Sequence, residues 1–329
     1  MIEDKQSLKK CVRQAVRHCS VYETEIDWQP ERSYTPGEVF LKFIEAHPTI
    51  CAGPMPLMAE KEMAIIVSMK AMGLWGLSIG ELRDAIGSYS PDAWFRELLD
   101  RTGIQRGLVR IPAENILRIR LKDDRLVPMT VIRPSFFSAG KYGVEYHKEA
   151  DRLRSVIRSA GIRHLTAEGV GAEALHYCIL PVCEEEGCIV HLRIEEEKGL
   201  CDALQMLQKL PHLLAVLSVT PGLEYKTIEK VAGNERILLR LNGRENTDFA
   251  LSRLGTRFIP FSAQASDFET ILGSWILARE RIWPSLTEKY TLMMRLDCTV
   301  SIESISKDVE MLLNGNLLKW EKEQGGNAL

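Results

Sequence analysis

The sequence predicts a multi-domain α+β protein: a winged-helix module followed by a ferredoxin-like α+β sandwich, with helical N- and C-terminal segments. Three observations predict it. Between Leu57 and Lys122, three short amphipathic stretches precede two strand-like runs. From about residue 170 to 260, strand-like and helix-like runs are separated by tight turns. A chain of 329 residues also exceeds what one core usually serves, so several domains are expected. The boundaries fall at 1–56 (helical region and linker), 57–132 (winged helix), 133–262 (α+β domain) and 263–329 (helical segment).

Leu8, Val12 and Val16 share a stripe, so a helix opens the chain, followed by a polar extended arm to about residue 34. Thr35-Pro36-Gly37-Glu38 reads as a second helix start. Three prolines and a glycine between His47 and Pro56 mark a boundary. Within the winged helix, the first helix spans 57–72. Ser78 caps the second, and Ser90-Pro91-Asp92 supplies an N-cap, a first-turn proline and a first-turn acid for the third. Residues 107–111 and 116–121 then read as a hairpin turning through Pro112-Ala113-Glu114-Asn115.

Beyond it, residues 145–159 read as a helix, and 175–183 with 188–194 as a second hairpin around Glu184-Glu185-Glu186-Gly187. A helix over 199–210 and strands over 213–220 and 236–241 follow. From Ser262 onward the pattern is helical, and Pro284 is expected to interrupt it.

Composition limits the function classes. A net charge of −3 excludes a protein that coats nucleic acid by overall charge. No apolar run suits a membrane span or a secretory leader, and eight cysteines without the density of a small secreted scaffold suit a reducing compartment, so a cytoplasmic protein is expected.

The alternation of Leu117, Ile119 and Leu121 with Arg118, Arg120 and Lys122 puts three cations on one face of the expected wing, as phosphate contacts require. Arg96, Arg101 and Arg106 flank the third helix and extend that surface, although Asp92, Glu97 and Asp100 oppose phosphate there. The functional expectation is a cytoplasmic regulatory or nucleic-acid-associated protein. Its partners would be DNA or RNA, a protein partner or a second copy, with no membrane and no cofactor. A docking subunit of a larger complex is the alternative that needs no nucleic acid.

His176, Cys178, Cys183, Cys188 and His191 cluster in sequence. In a regular hairpin Cys183 and Cys188 face each other while His176, Cys178 and His191 turn away, so five potential ligands reduce to two. His147-Lys148-Glu149 at a helix start, followed by Pro181-Val182-Cys183 and then Cys188, resembles the zinc-dependent nucleoside and base deaminases. That resemblance implies a diverged zinc-dependent deaminase-like enzyme, with His147, Cys183 and Cys188 as zinc ligands and Glu149 as the acid/base. The cysteines stand five positions apart rather than three, and the second leads into a strand-like run rather than a helix. Walker A, Gly-x-Gly-x-x-Gly, Gly-x-Ser-x-Gly and His-Glu-x-x-His motifs are all missing.

Overall fold

The computed structural model describes residues 2, 4–27, 35–50, 57–121, 123–137, 146–241, 246–263 and 267–326. In chain order its elements begin with α1 (Lys5–His18), β1 (Val21–Ile26), α2 (Glu38–Ala46), α3 (Glu60–Ala71), α4 (Ile79–Gly87), α5 (Pro91–Thr102) and β2 (Ile104–Pro112). Next come β3 (Leu126–Ile132), α6 (Tyr146–Ala160), β4 (His164–Ala167), α7 (Ala172–Ala174), α8 (Leu180–Glu185), β5 (Ile189–Ile194), α9 (Glu197–Lys209) and β6 (Leu214–Val219). The last are α10 (Glu224–Val231), β7 (Ile237–Arg240), α11 (Thr247–Leu254), β8 (Phe258–Ile259), α12 (Phe268–Arg295), α13 (Ile302–Glu310) and α14 (Asn316–Gly326).

The eight strands form one sheet in the order β1 to β8, each beside its chain neighbour. From β3 to β8 every pairing is parallel. A parallel strand must be reached by a crossover rather than a tight turn, and α6, α9, α10 and α11 provide crossovers here. Strand–helix units repeated in this order build the β/α folds. Strands in such sheets are covered on both faces and become continuously apolar, as buried Leu214–Leu217 and Ile237–Leu239 illustrate.

Neither the winged helix nor the ferredoxin-like sandwich is present, and the regulatory, DNA-binding reading falls with them. Residues 116–121 form no strand: Arg118 and Ile119 donate their backbone N–H groups back to Asn115 in a turn. The strand that follows β2 is instead β3, which pairs in parallel with β4. Residues 175–183, expected as a strand, belong to a helical run from α7 to α8 that contains a π turn at Leu175–Ile179. A short apolar run fits a buried helix as well as a buried strand, and Cys178, Ile179, Leu180, Val182 and Cys183 are all buried. The extended arm contains β1, which is a buried strand despite its polar residues. Pro284 lies inside the uninterrupted α12.

The chain divides into two compact units. The first comprises 1–107 with 263–306, the second 108–262 with 307–329. In the first, α12 packs on α1, α3 and α5. Two buried acids are hydrogen-bonded there: Glu23 accepts from Trp275 Nε1 at 2.8 Å and from the Ala263 N–H at 2.9 Å. Glu269 accepts from Trp94 Nε1 and the Gly37 N–H, both at 3.0 Å. Gly37 sits at a positive φ of 66°, a backbone state glycine adopts without strain. The second unit holds strands β3 to β8, and its C-terminal helix α14 is anchored by Asn316 Nδ2, which donates to the Thr256 carbonyl at 2.6 Å. No helix among the described residues is long and apolar enough to cross a membrane.

Candidate active site

Register determines which side chains of the second unit share a face of the sheet, because partnered residues in a parallel pair point the same way. His164, Ile189 and Leu214 make one row; Thr166, His191 and Val216 make the next; Arg193, Ser218 and Arg240 follow toward the carboxyl ends of the strands. One face of an otherwise apolar sheet therefore carries two histidines, a threonine, a serine and two arginines. All but Arg193 are buried. Buried polar groups of this kind cost free energy unless they are hydrogen-bonded, so their connections define the site.

The histidines are joined. His164 Nδ1 lies 3.1 Å from His191 Nε2, and His164 Nε2 lies 2.9 Å from Glu321 Oε1 on α14. Thr166 Oγ1 donates to the His191 carbonyl at 2.9 Å and fixes that residue's backbone. His191 is 5 % exposed, and its Nδ1 is buried with no hydrogen-bond partner. An unsatisfied buried ring nitrogen of this kind costs about 1–3 kcal/mol.

Burial, then the charges of His164 and Arg240, hold the His191 pKa well below its ordinary value near 6.5. The ring is thus neutral at pH 7 and able to accept a proton. Below about pH 6.5 the unfolded chain binds a proton here that the folded chain refuses, so stability falls as pH drops and this contribution is flat above that value. We expect the unfolding free energy of wild-type protein to decline more steeply between pH 6.5 and 5 than that of His191→Gln, by up to about 1.4 kcal/mol per pH unit. Parallel denaturant titrations across that range check it; equal slopes would contradict it.

Charge gathers beyond the carboxyl ends of the same strands. Glu168, just after β4, pairs with Arg110 of β2 and with Arg133 after β3, the latter at 3.3 Å. Arg193 pairs with Glu195 at 3.5 Å. Glu114 accepts from Ser135 Oγ at 2.7 Å; backbone and side-chain hydrogen bonds, with help from Arg133 and Arg152, lower its pKa. Buried Glu224, at the start of α10, accepts from Asn246 Nδ2 at 2.6 Å. Carboxyl ends of parallel strands are where β/α enzymes place their chemistry, on loops held by a rigid sheet.

The residues expected from sequence lie elsewhere. Arg96 is exposed on α5; Arg101 there pairs with Glu97 and donates to the Ala71 carbonyl at 2.6 Å, so it holds α3 to α5. Arg106 is half-buried in β2. Arg118 and Arg120 are exposed in the irregular segment before β3, and Lys122 lies outside the described residues. Leu117, expected inward, is exposed; it borders a cavity of about 370 Å³ that Ile119 and Leu121 also line.

The deaminase-like zinc set does not assemble. Cys188 donates its backbone N–H to the Cys183 carbonyl at 2.8 Å, so the two cysteines meet at the end of α8 and the start of β5. Both are buried, and the Cys183 thiol is pushed far up by its hydrogen bond to Cys188 and by burial. His147, by contrast, is exposed on α6. Glu149 is buried on α6, and with burial its charge pushes the Cys178 thiol up to about 11. Among the described residues no three His, Cys, Asp or Glu side chains are arranged to hold a metal.

No protein-family model and no curated protein matches the chain. Among solved structures, it is similar to a uronate isomerase from Bacillus halodurans C-125, with 13 % sequence identity, a TM-score of 0.77 and 97 % of each chain covered. At that identity the likeness establishes the fold.

Proposed function

We propose that this protein is an enzyme that moves a proton on a small hydroxylated carboxylate, bound at the carboxyl ends of the strands in its second unit. The observation that carries this reading is His191: a neutral, buried imidazole on the polar face of the sheet whose Nδ1 has no protein partner. Such a nitrogen is suited to general-base work, which typically contributes about 10²–10⁴-fold to a rate.

The fold neighbour is a uronate isomerase, and uronates are hydroxylated carboxylates of this class. Interconverting an aldose and a ketose requires a proton to leave the carbon beside the carbonyl, a proton to reach the carbonyl carbon, and the hydroxyl proton to pass from one oxygen to the other, with no net oxidation. In this reading His191 Nδ1 takes the first proton. Arg193, close to the carboxyl end of β5, is the exposed cation near enough in sequence to bind the carboxylate. Arg240, at the corresponding point of β7, keeps the site electropositive and His191 neutral.

Every cysteine among the described residues is a free thiol, consistent with a reducing cytoplasm. The test is a turnover screen of the full chain against hexuronates and related sugar acids, with neutral sugars as controls. Turnover confined to acids, with KM raised at least tenfold in Arg193→Gln, is the expected result. Turnover of neutral sugars alone would overturn the substrate class.

A further inference from the structure

We infer that the cavity under the crossover from β2 to β3 is a binding site for a small apolar amine of the arylalkylammonium class. Each crossover from β3 to β8 carries a helix, whereas the described residues between β2 and β3 form only turns. A helix laid on a sheet covers it with an apolar stripe of side chains. This irregular segment leaves a cavity of about 370 Å³ instead. Ile111 of β2 and Leu126 of β3 line it from the sheet, and Ile116, Ile119 and Leu121 line it from the crossover. An apolar cavity of roughly 150 Å³ can take a benzene ring, so this one has room for a ring with a short chain.

The charge around the cavity favours a cation. Both charged side chains that line it are acids, Asp123 and Asp124. Arg118 and Arg120 alternate with the apolar residues of the crossover, but they are exposed and do not line the cavity. Arg125 donates to Asp123 through two bonds of 2.9 Å, which lower that carboxyl's pKa, so it is ionised at neutral pH. Asp124 adds a carboxylate on the exposed side.

A third wall is the last turn of α6, at Ser159 and Ala160. Carbonyls at a helix C-terminus carry partial negative charge and favour cations. Arg158, the basic residue of that turn, pairs with Glu186 at 2.6 Å and does not line the cavity. An ammonium group here would meet acceptors from the acids and the helix end, while its apolar body covers isoleucine and leucine side chains. A carboxylate in the same place would be repelled.

This site is separate from the strand-end site. Met129 is partnered with His164 and shares its face, so Leu126 and Pro128, an odd number of positions away, lie on the opposite face of the sheet. The inference therefore stands whether or not the protein moves a proton on a sugar acid.

The test is carbon-13 methyl NMR of the isoleucine-labelled full chain, titrated to millimolar phenethylamine, phenethyl alcohol or phenylpropanoate. Phenethylamine is expected to shift the Ile111, Ile116 and Ile119 methyls saturably. The alcohol should bind at least about fivefold more weakly, and phenylpropanoate more weakly still. Leu117 lines the cavity yet is 63 % exposed, so Leu117→Lys adds a cation there without burdening the fold. It should weaken phenethylamine by about tenfold or more. Shifts confined to other isoleucines, or none with any probe, would overturn the site, and neither result needs a variant to fold. Equal affinity for all three probes would overturn the amine class. Undiminished phenethylamine binding to Leu117→Lys would place the amine elsewhere and overturn the inference equally.

Discussion

Replacing His191 with glutamine is expected to lower kcat by about 10²–10⁴-fold while leaving the fold in place. The glutamine amide can either donate to or accept from His164 Nδ1, so the buried pair keeps a hydrogen bond, but no lone pair of useful basicity remains where Nδ1 stood. KM should change little, because an imidazole that moves a proton acts mainly in the transition state. Steady-state kinetics on whichever sugar acid is turned over, with circular dichroism as the control for folding, measures this. A variant within threefold of wild type would remove His191 from the chemistry.

The largest stability effect is expected in the first unit, at Gly273→Ala. Helices α12 and α3 cross there with their backbones in contact. A Cβ added to Gly273 would lie 1.8 Å from the Ala64 carbonyl oxygen, 2.6 Å from its carbon and 2.7 Å from Ser68 Oγ. None of these is the tip of a flexible chain that can swing away. Ser68 Oγ accepts the Gly273 N–H at 2.7 Å and also donates to the Glu269 carbonyl, so separating the helices breaks two buried hydrogen bonds. Trp275, fully buried two residues on, would be drawn from Glu23. Overpacking commonly costs about 1–3 kcal/mol, and the clash with a backbone carbonyl puts this site at about 3 kcal/mol or more. Thermal unfolding should shift down by roughly 6–12 °C for a unit of this size. A shift below 2 °C would mean that the helices are not in contact at Gly273.

Much of the element inventory could be read along the chain, and the failures have identifiable causes. Strands β5, β6 and β7 are marked by runs of isoleucine, valine and leucine bounded by turns. Helix α5 is marked by its serine cap, first-turn proline and Gly103, which takes a left-handed φ of 74°. Strand β1 escaped notice because Glu23-Thr24-Glu25 reads as polar, although Glu23 is buried and its carboxylate is satisfied by groups some 240–252 residues away. Strand β4 has four residues and β8 two, too few for a periodic signal.

The larger error, two hairpins in place of parallel crossovers, arose because local turn signals favour neighbouring antiparallel strands. Parallel pairing depends on contacts that no local pattern records. The same holds for the site. His191 stood out as a residue, but its partners lie 27 positions earlier at His164 and, through that ring, in the last helix at Glu321. No motif spacing could have joined them.

The central claim, proton transfer by His191, is tested most directly by incubating the full chain with glucuronate and galacturonate in deuterium oxide and following the sugar protons by NMR. The account predicts that wild-type protein exchanges the proton on the carbon beside the carbonyl for deuterium, alongside isomerisation, and that His191→Gln does neither at a comparable rate. Isomerisation that persists undiminished in His191→Gln, or no exchange by wild-type protein with any sugar acid, would contradict it.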